Sequence, residues 1–156
     1  MNLVLEPPAP VPYFTDMRKT LDDAGIDPAD FDWYVSDLET NLAVPQLGNG
    51  DQWIRGMDLA QVLETRGLQF VWAVFSAFPV GAAGREVESS PIADGNGRYW
   101  RPPEAVPQLP GACIEVVCWD SSATILVGLS SEQALRFLAA NPHAKPLANT
   151  WPASAA

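Results

Sequence analysis

Apolar positions along this chain repeat at two periods, and the changes from one period to the other mark out its elements. Phe14, Met17, Leu21 and Ala24 recur at helical spacing, with Asp16 near the start and Gly25 just past the end, where a left-handed cap belongs. A first helix is expected there. Trp33-Tyr-Val-Ser-Asp-Leu38 has the aromatic and β-branched content of a strand that ends before the turn signal Gly48-Asn-Gly50. Leu59, Val62 and Leu63 form the stripe of a second helix, which Gly67 should stop. The run Leu68 to Phe78 is apolar on both alternating faces, so it should be a central strand covered on two sides. Residues 113 to 119 and 123 to 128 read as a hairpin across Asp120-Ser121-Ser122, with Asp120 expected to accept nearby backbone N–H groups. Ser130 and Gln133 make a capping box for a third helix, with Leu135, Leu138 and Ala139 as its apolar face and an end near Asn141-Pro142.

This order predicts an α+β protein: a mainly antiparallel sheet with about three helices packed against it, in a single domain spanning residues 1–156. Two stretches show neither period. Residues 1–12 form a Pro-rich lead, and residues 79–112 hold six Pro and five Gly. Within the second stretch, Asp94-Gly-Asn-Gly97 followed by Arg98-Tyr-Trp-Arg101 suggests one short hairpin. A loop this long inside a compact domain is usually functional or disordered.

Composition argues against global disorder: 47% of residues are hydrophobic, six are Trp and 18% are charged. The net charge of −10 is concentrated early. Residues 1–64 carry twelve acids against Arg18, Lys19 and Arg55, a balance of −9. Such a field repels nucleic acid and anionic membranes and steers a basic protein inward. No stretch reaches the roughly 20 apolar residues of a membrane span, and the start lacks the basic and apolar regions of a secretory leader. The expected location is the cytoplasm. Cys113 and Cys118 fall on opposite faces of one strand, which predicts two buried free thiols rather than a disulfide.

Candidate chemistry is sparse. His143 is the single histidine, no metal-ligand spacing is present, and neither a metal nor a cofactor is expected. Asp37 and Glu39 share a strand face, so an enzyme reading would use Asp120 with Asp37 or Cys118. The binding reading uses the acids crowded at Asp22, Asp23, Asp27, Asp30 and Asp32. Trp100, between Arg98 and Arg101, is a further contact unless Tyr99 and Trp100 fold inward while the arginines stay wet.

At Trp33-Tyr-Val, at Trp53-Ile-Arg-Gly followed by Leu59, at Gln69 to Pro79, and at Cys118-Trp-Asp-Ser-Ser122 with the helix after it, the chain resembles a group of uncharacterised small bacterial α+β proteins. Some of these look like immunity proteins that neutralise a toxin. The likeness runs through residues 31 to 140 but not through the Pro-rich lead or residues 79–112. It carries over no catalytic residue. The charge asymmetry, the missing catalytic motifs and this resemblance together point to a protein-binding module, an immunity protein facing a basic toxin, with the small enzyme as the alternative. A homo-oligomer formed through an open strand edge would need no special residue.

Overall fold

A computed structural model describes residues 1–100 and 105–147. It is α+β, with strands β1 (Leu3–Leu5), β2 (Phe31–Thr40), β3 (Gln52–Arg55), β4 (Phe70–Pro79), β5 (Ile114–Trp119), β6 (Ala123–Val127) and β7 (Lys145–Pro146). The helices are α1 (Met17–Ala24), α2 (Gly56–Leu63) and α3 (Ser131–Ala140). The strands form one sheet of order β3-β2-β4-β5-β6-β1-β7, antiparallel at every step. The apolar run on β4 is interior, flanked by β2 and β5, and Phe70 and Phe75 are fully buried.

Alternation along the strands builds two cores. Trp33, Val35, Ala73, Phe75, Ile114, Val116 and Cys118 face the helices and pack with Met17 and Leu21 of α1, Leu59 and Val62 of α2, and Phe137 of α3. The opposite face carries Tyr34, Val74, Phe78, Val117, Ile125 and Val127. It is covered by Ala82, Ala93, Tyr99, Trp100, Ala105 and Leu109, all from the Pro/Gly-rich segment. That segment is therefore the second covering layer of the sheet, which is why β4 can be apolar on both faces.

Local signals set the helix ends. The Asp16 carboxylate accepts from the Lys19 N–H, and Gly25, at φ 67°, returns its N–H to the carbonyls of Leu21 and Asp22. The Ser130/Gln133 capping box is formed in both directions. α2 instead ends at Glu64, and Gly67 lies in the turn beyond it.

Four expectations need correction. The lead contains β1, an interior strand paired with β6 and β7, because Leu3, Val4 and Leu5 fill a slot on the sheet. The apolar face of α3 is Ala134, Phe137 and Leu138, whereas Leu135 and Ala139 are exposed; the helix is rotated so that Phe137 reaches the core. Residues 97 to 100 form a 3₁₀ turn and not a hairpin arm, because Tyr99 and Trp100 both turn inward; Arg101 lies outside the described residues. Cys118 is buried but Cys113, one residue before β5, is exposed, and both are free.

Candidate functional site

Three sheet carboxylates hold the second layer in place. Asp32 is the second residue of β2, and one of its oxygens accepts from the N–H groups of Gly81 (2.7 Å) and Ala83 (3.0 Å). The Ala83 N–H, more than any other group, holds its pKa below the usual carboxylate value against the opposing effect of burial. Further along β2 the pairing with β4 shifts register between Ser36 and Glu39, and Asp37 takes φ 52°. This bulge breaks the alternation that was to place Asp37 on one face with Glu39. The Asp37 N–H donates to the Asp51 carboxylate (3.0 Å), and the Asp37 carboxylate accepts from the N–H groups of Ala93 (2.7 Å) and Asp94 (2.9 Å).

The third carboxylate is Glu115, fully buried in the middle of β5. One oxygen accepts from the Ser76 hydroxyl (3.1 Å) and the Leu109 N–H (2.8 Å); the other accepts from the Tyr99 hydroxyl (3.0 Å) and the Gln108 N–H (2.7 Å). Burial pushes its pKa up, opposed by these four donors, with the Leu109 and Gln108 N–H groups the strongest. Burial, reinforced by the nearby carboxylate, also pushes the Tyr99 hydroxyl up. Between the carboxylates, Tyr34 shares a hydrogen bond with Ser90 (2.7 Å) and Ser36 donates to the Pro91 carbonyl (2.6 Å). A segment with no strand or α-helix of its own among its described residues is thus tied to the sheet at five points of β2 and β5.

Tied down in this way, the segment encloses a cleft of about 1030 Å³ against the ends of β3 and β4. Trp53 and Phe78 line it, in edge-to-face contact at 5.1 Å, and the Trp53 ring N–H donates to the Arg85 carbonyl (2.9 Å). Arg85 and Arg98 stand in opposite parts of the lining segment. Asn96 fixes the second wall: its amide donates to the Ile92 carbonyl and the Gln108 side chain, and its oxygen accepts from the Arg98 N–H. The arginine side chains make no ion pair among the described residues, and the cleft also exposes Glu86 and Glu88.

The five crowded acids do not share one role. Asp32 is buried in the work just described. Asp27 caps the turn at residues 28 to 30 by accepting from the Ala29 N–H (2.9 Å). Asp23 pairs with Lys19 and accepts from Asn141 (2.8 Å), while Asp22 sits 3.9 Å from Arg18 and Asp30 is exposed. Trp100 folds inward, edge-on to Trp119 at 5.3 Å, so the inward alternative holds and Trp100 is no surface contact.

The residues of the enzyme reading are not brought together. Cys118 lies in the helix-side core, where burial pushes its thiol far up, and the Asp37 carboxylate is engaged on the opposite layer. Asp120 is exposed at the hairpin tip, and its carboxylate accepts no hydrogen bond among the described residues, contrary to the expected local cap. His143 is exposed. No group of His, Cys, Asp and Glu among the described residues is arranged to hold a metal ion, and no helix there is long and apolar enough to cross a membrane.

Sequence reasoning missed Glu115, Trp53 and Arg85. Glu115 had a signal: it is the one charged residue in the apolar run Ile114 to Trp119. The other two had none, since only the fold brings β3 against residue 85. Comparison of the chain with protein-family models, with curated proteins and with solved structures finds no match. The class that the geometry defines is an α+β protein with a seven-stranded antiparallel sheet, helices on one face and a carboxylate-anchored loop layer on the other.

Proposed function

We propose that this protein acts by stoichiometric binding of a basic protein, as an immunity-type module that covers a toxin. The observation that carries this reading is the acid excess left exposed on the helical side. Asp22, Asp27 and Asp30 follow one another through α1 and the next turn, and α2, packed beside that turn, adds Asp58 and Glu64. Two of the cations of the same region are already engaged, Arg18 with Glu64 (2.6 Å) and Lys19 with Asp23, whereas Arg55 at the start of α2 and Arg136 beside Gly25 make no ion pair among the described residues. Asp27, Asp30 and Asp58 have no ion pair among the described residues. A surface of this sign repels phosphate backbones and accelerates encounter with a cationic patch.

The test is co-expression with the basic product of a neighbouring gene, followed by association-rate measurements over a range of salt. Reversing Asp22, Asp30 and Asp58 to Lys should slow association about tenfold at low salt, the scale expected when steering is removed, and leave the fold intact. Wild-type rates in the triple variant would reduce the acidic face to a solubility device.

A further inference from the structure

The chain contains two Asn-Gly pairs, Asn49-Gly50 and Asn96-Gly97, one in each of its Gly-Asn-Gly turn signals. Asparagine before glycine is the pair least hindered against attack on its own side chain, because no Cβ crowds the glycine nitrogen that attacks. The fold treats the two pairs in opposite ways. At the second, every group that would react is engaged. The Asn96 amide donates to the Ile92 carbonyl (2.8 Å) and the Gln108 side chain (3.0 Å), its oxygen accepts from the Arg98 N–H (3.2 Å), and the Gly97 N–H donates to the Gly95 carbonyl (3.2 Å). At the first pair none is. Asn49 and Gly50 are exposed, and neither the Asn49 side chain nor the Gly50 N–H makes a hydrogen bond among the described residues. A Cβ placed on Gly50 would meet nothing within 4 Å, so there is room for a ring to close. Around the pair, the Gln52 side chain holds the Gly48 N–H and the carbonyls of Gly48 and Gly50, each at 2.9 Å. That clamp fixes the loop without engaging an atom that reacts.

We propose that Asn49 is a self-modifying site: it deamidates in the folded protein while Asn96 is preserved, and its isoaspartate product releases the Gln52 clamp. The Gly50 nitrogen gives its proton to solvent base and attacks Asn49 Cγ. The Cγ–Nδ2 bond breaks, ammonia leaves with a proton from water, and a cyclic imide closes. Water then opens the imide. Attack at Cγ gives aspartate, and attack at the main-chain carbonyl gives isoaspartate, in which the chain runs through Cγ and is longer by one carbon. The net change is one water taken up and one ammonia released, with no redox step. Both products add a carboxylate two residues before Asp51, whose own carboxylate accepts the Asp37 N–H (3.0 Å). Only isoaspartate stretches the span from Gly48 to Gly50 that Gln52 bridges.

The test keeps the whole chain in mildly alkaline buffer and samples it over time by peptide mass mapping and by enzymatic methylation of isoaspartate. The mass gain and the methyl label should accumulate in the peptide that holds Asn49. Asn96 should react about tenfold more slowly or less, because its hydrogen bonds must open first. In urea the two rates should converge, since the protection of Asn96 is lost with the fold. In ¹⁵N spectra the aged chain should shift the Gln52 side-chain amide and the Gly48 N–H. Fresh Asn49→Asp carries the charge without the extra carbon and should leave both in place. Equal rates at the two sites in the folded chain, a reaction of Asn49 only after unfolding, or an Asn96 that stays slow in urea would each overturn the site. Clamp signals that are unchanged on ageing, or displaced as far by Asn49→Asp, would overturn the release.

Discussion

Glu115 shows how much depends on one side chain in this protein. Each of its oxygens accepts from one hydroxyl and one backbone N–H, so Glu115→Gln would turn an amide NH₂ toward such a pair; the hydroxyl can rotate to accept from it, but the N–H is left unpaired. Burying an unpaired N–H at that position should cost about 1 to 3 kcal/mol, read as a lower urea midpoint at neutral pH. The pH dependence of Glu115 and Asp32 should run in opposite senses. Because Glu115 is raised above the ordinary value of 4.5, its contribution is full below that value and declines as pH climbs through its raised pKa. Asp32 is lowered from 3.8, so its contribution is full above 3.8 and is lost as pH falls through its lowered pKa. Urea titrations across this range should therefore show Glu115→Gln flattening the slope above pH 4.5 and Asp32→Asn flattening it below pH 3.8. Identical slopes in wild type and both variants would show that neither group titrates differently on folding. At the hairpin tip, Asp120 and Ser121 adopt φ 48° and 54°, which most side chains resist. With no hydrogen bond to its carboxylate among the described residues, Asp120 owes its place to tolerance of that backbone. Asp120→Ala should lose about 1 kcal/mol, whereas Asp120→Gly should be neutral or slightly stabilising. Equal losses in both would mean the carboxylate itself is bonded.

Among the elements, α2 has the least ordinary start. Its cap residue, Arg55, makes no side-chain capping bond, and the helix begins at Gly56 directly against the turn at residues 28 to 30. A Cβ on Gly56 would lie 1.9 Å from the Pro28 carbonyl oxygen and 2.5 Å from that of Phe31. Gly-to-Ala changes within helices usually stabilise by up to about 1 kcal/mol. Here the main chain of a neighbouring turn would have to move, so Gly56→Ala should destabilise by about 2 kcal/mol or more, on the scale of core overpacking. A thermal melt decides it, and a variant as stable as wild type would mean that α2 and the turn can separate freely. The same contact seats α2 beside Asp30 and so builds the acidic face from parts distant in sequence.

For the molecule as a whole, the loop layer is the feature to test. Replacing residues 84–108 with a short Gly/Ser linker would uncover Val74, Val117, Ile125 and Val127 and deprive Glu115 of two of its four donors, Tyr99 and Gln108. Exposed apolar area of that kind promotes association. The shortened protein should bind a hydrophobic dye and elute as oligomers in size-exclusion chromatography. A monomeric, dye-silent product would show that the layer is dispensable.

The sequence by itself determined the elements whose evidence is local. The two-faced run of β4, the Asp16 and Gly25 caps, the Ser130/Gln133 box and the strands on either side of Asp120 are all written in neighbouring residues, because period and capping act over a few positions. Only the tertiary structure decided what long-range partners decide. Leu3, Val4 and Leu5 become an interior strand because β6 and β7 take them on both sides, which nothing in a Pro-rich lead announces. The acids that looked like one surface divide into a loop anchor, a turn cap, an ion pair and exposed charge according to which N–H or cation the fold sets opposite each. The described residues of 79–112 have no period to read because what places them is a set of main-chain groups, among them the N–H groups of Gly81, Ala83, Ala93, Asp94, Gln108 and Leu109, bonded by side chains of the sheet. The cleft between Trp53, Arg85 and Arg98 exists only once those strands have paired.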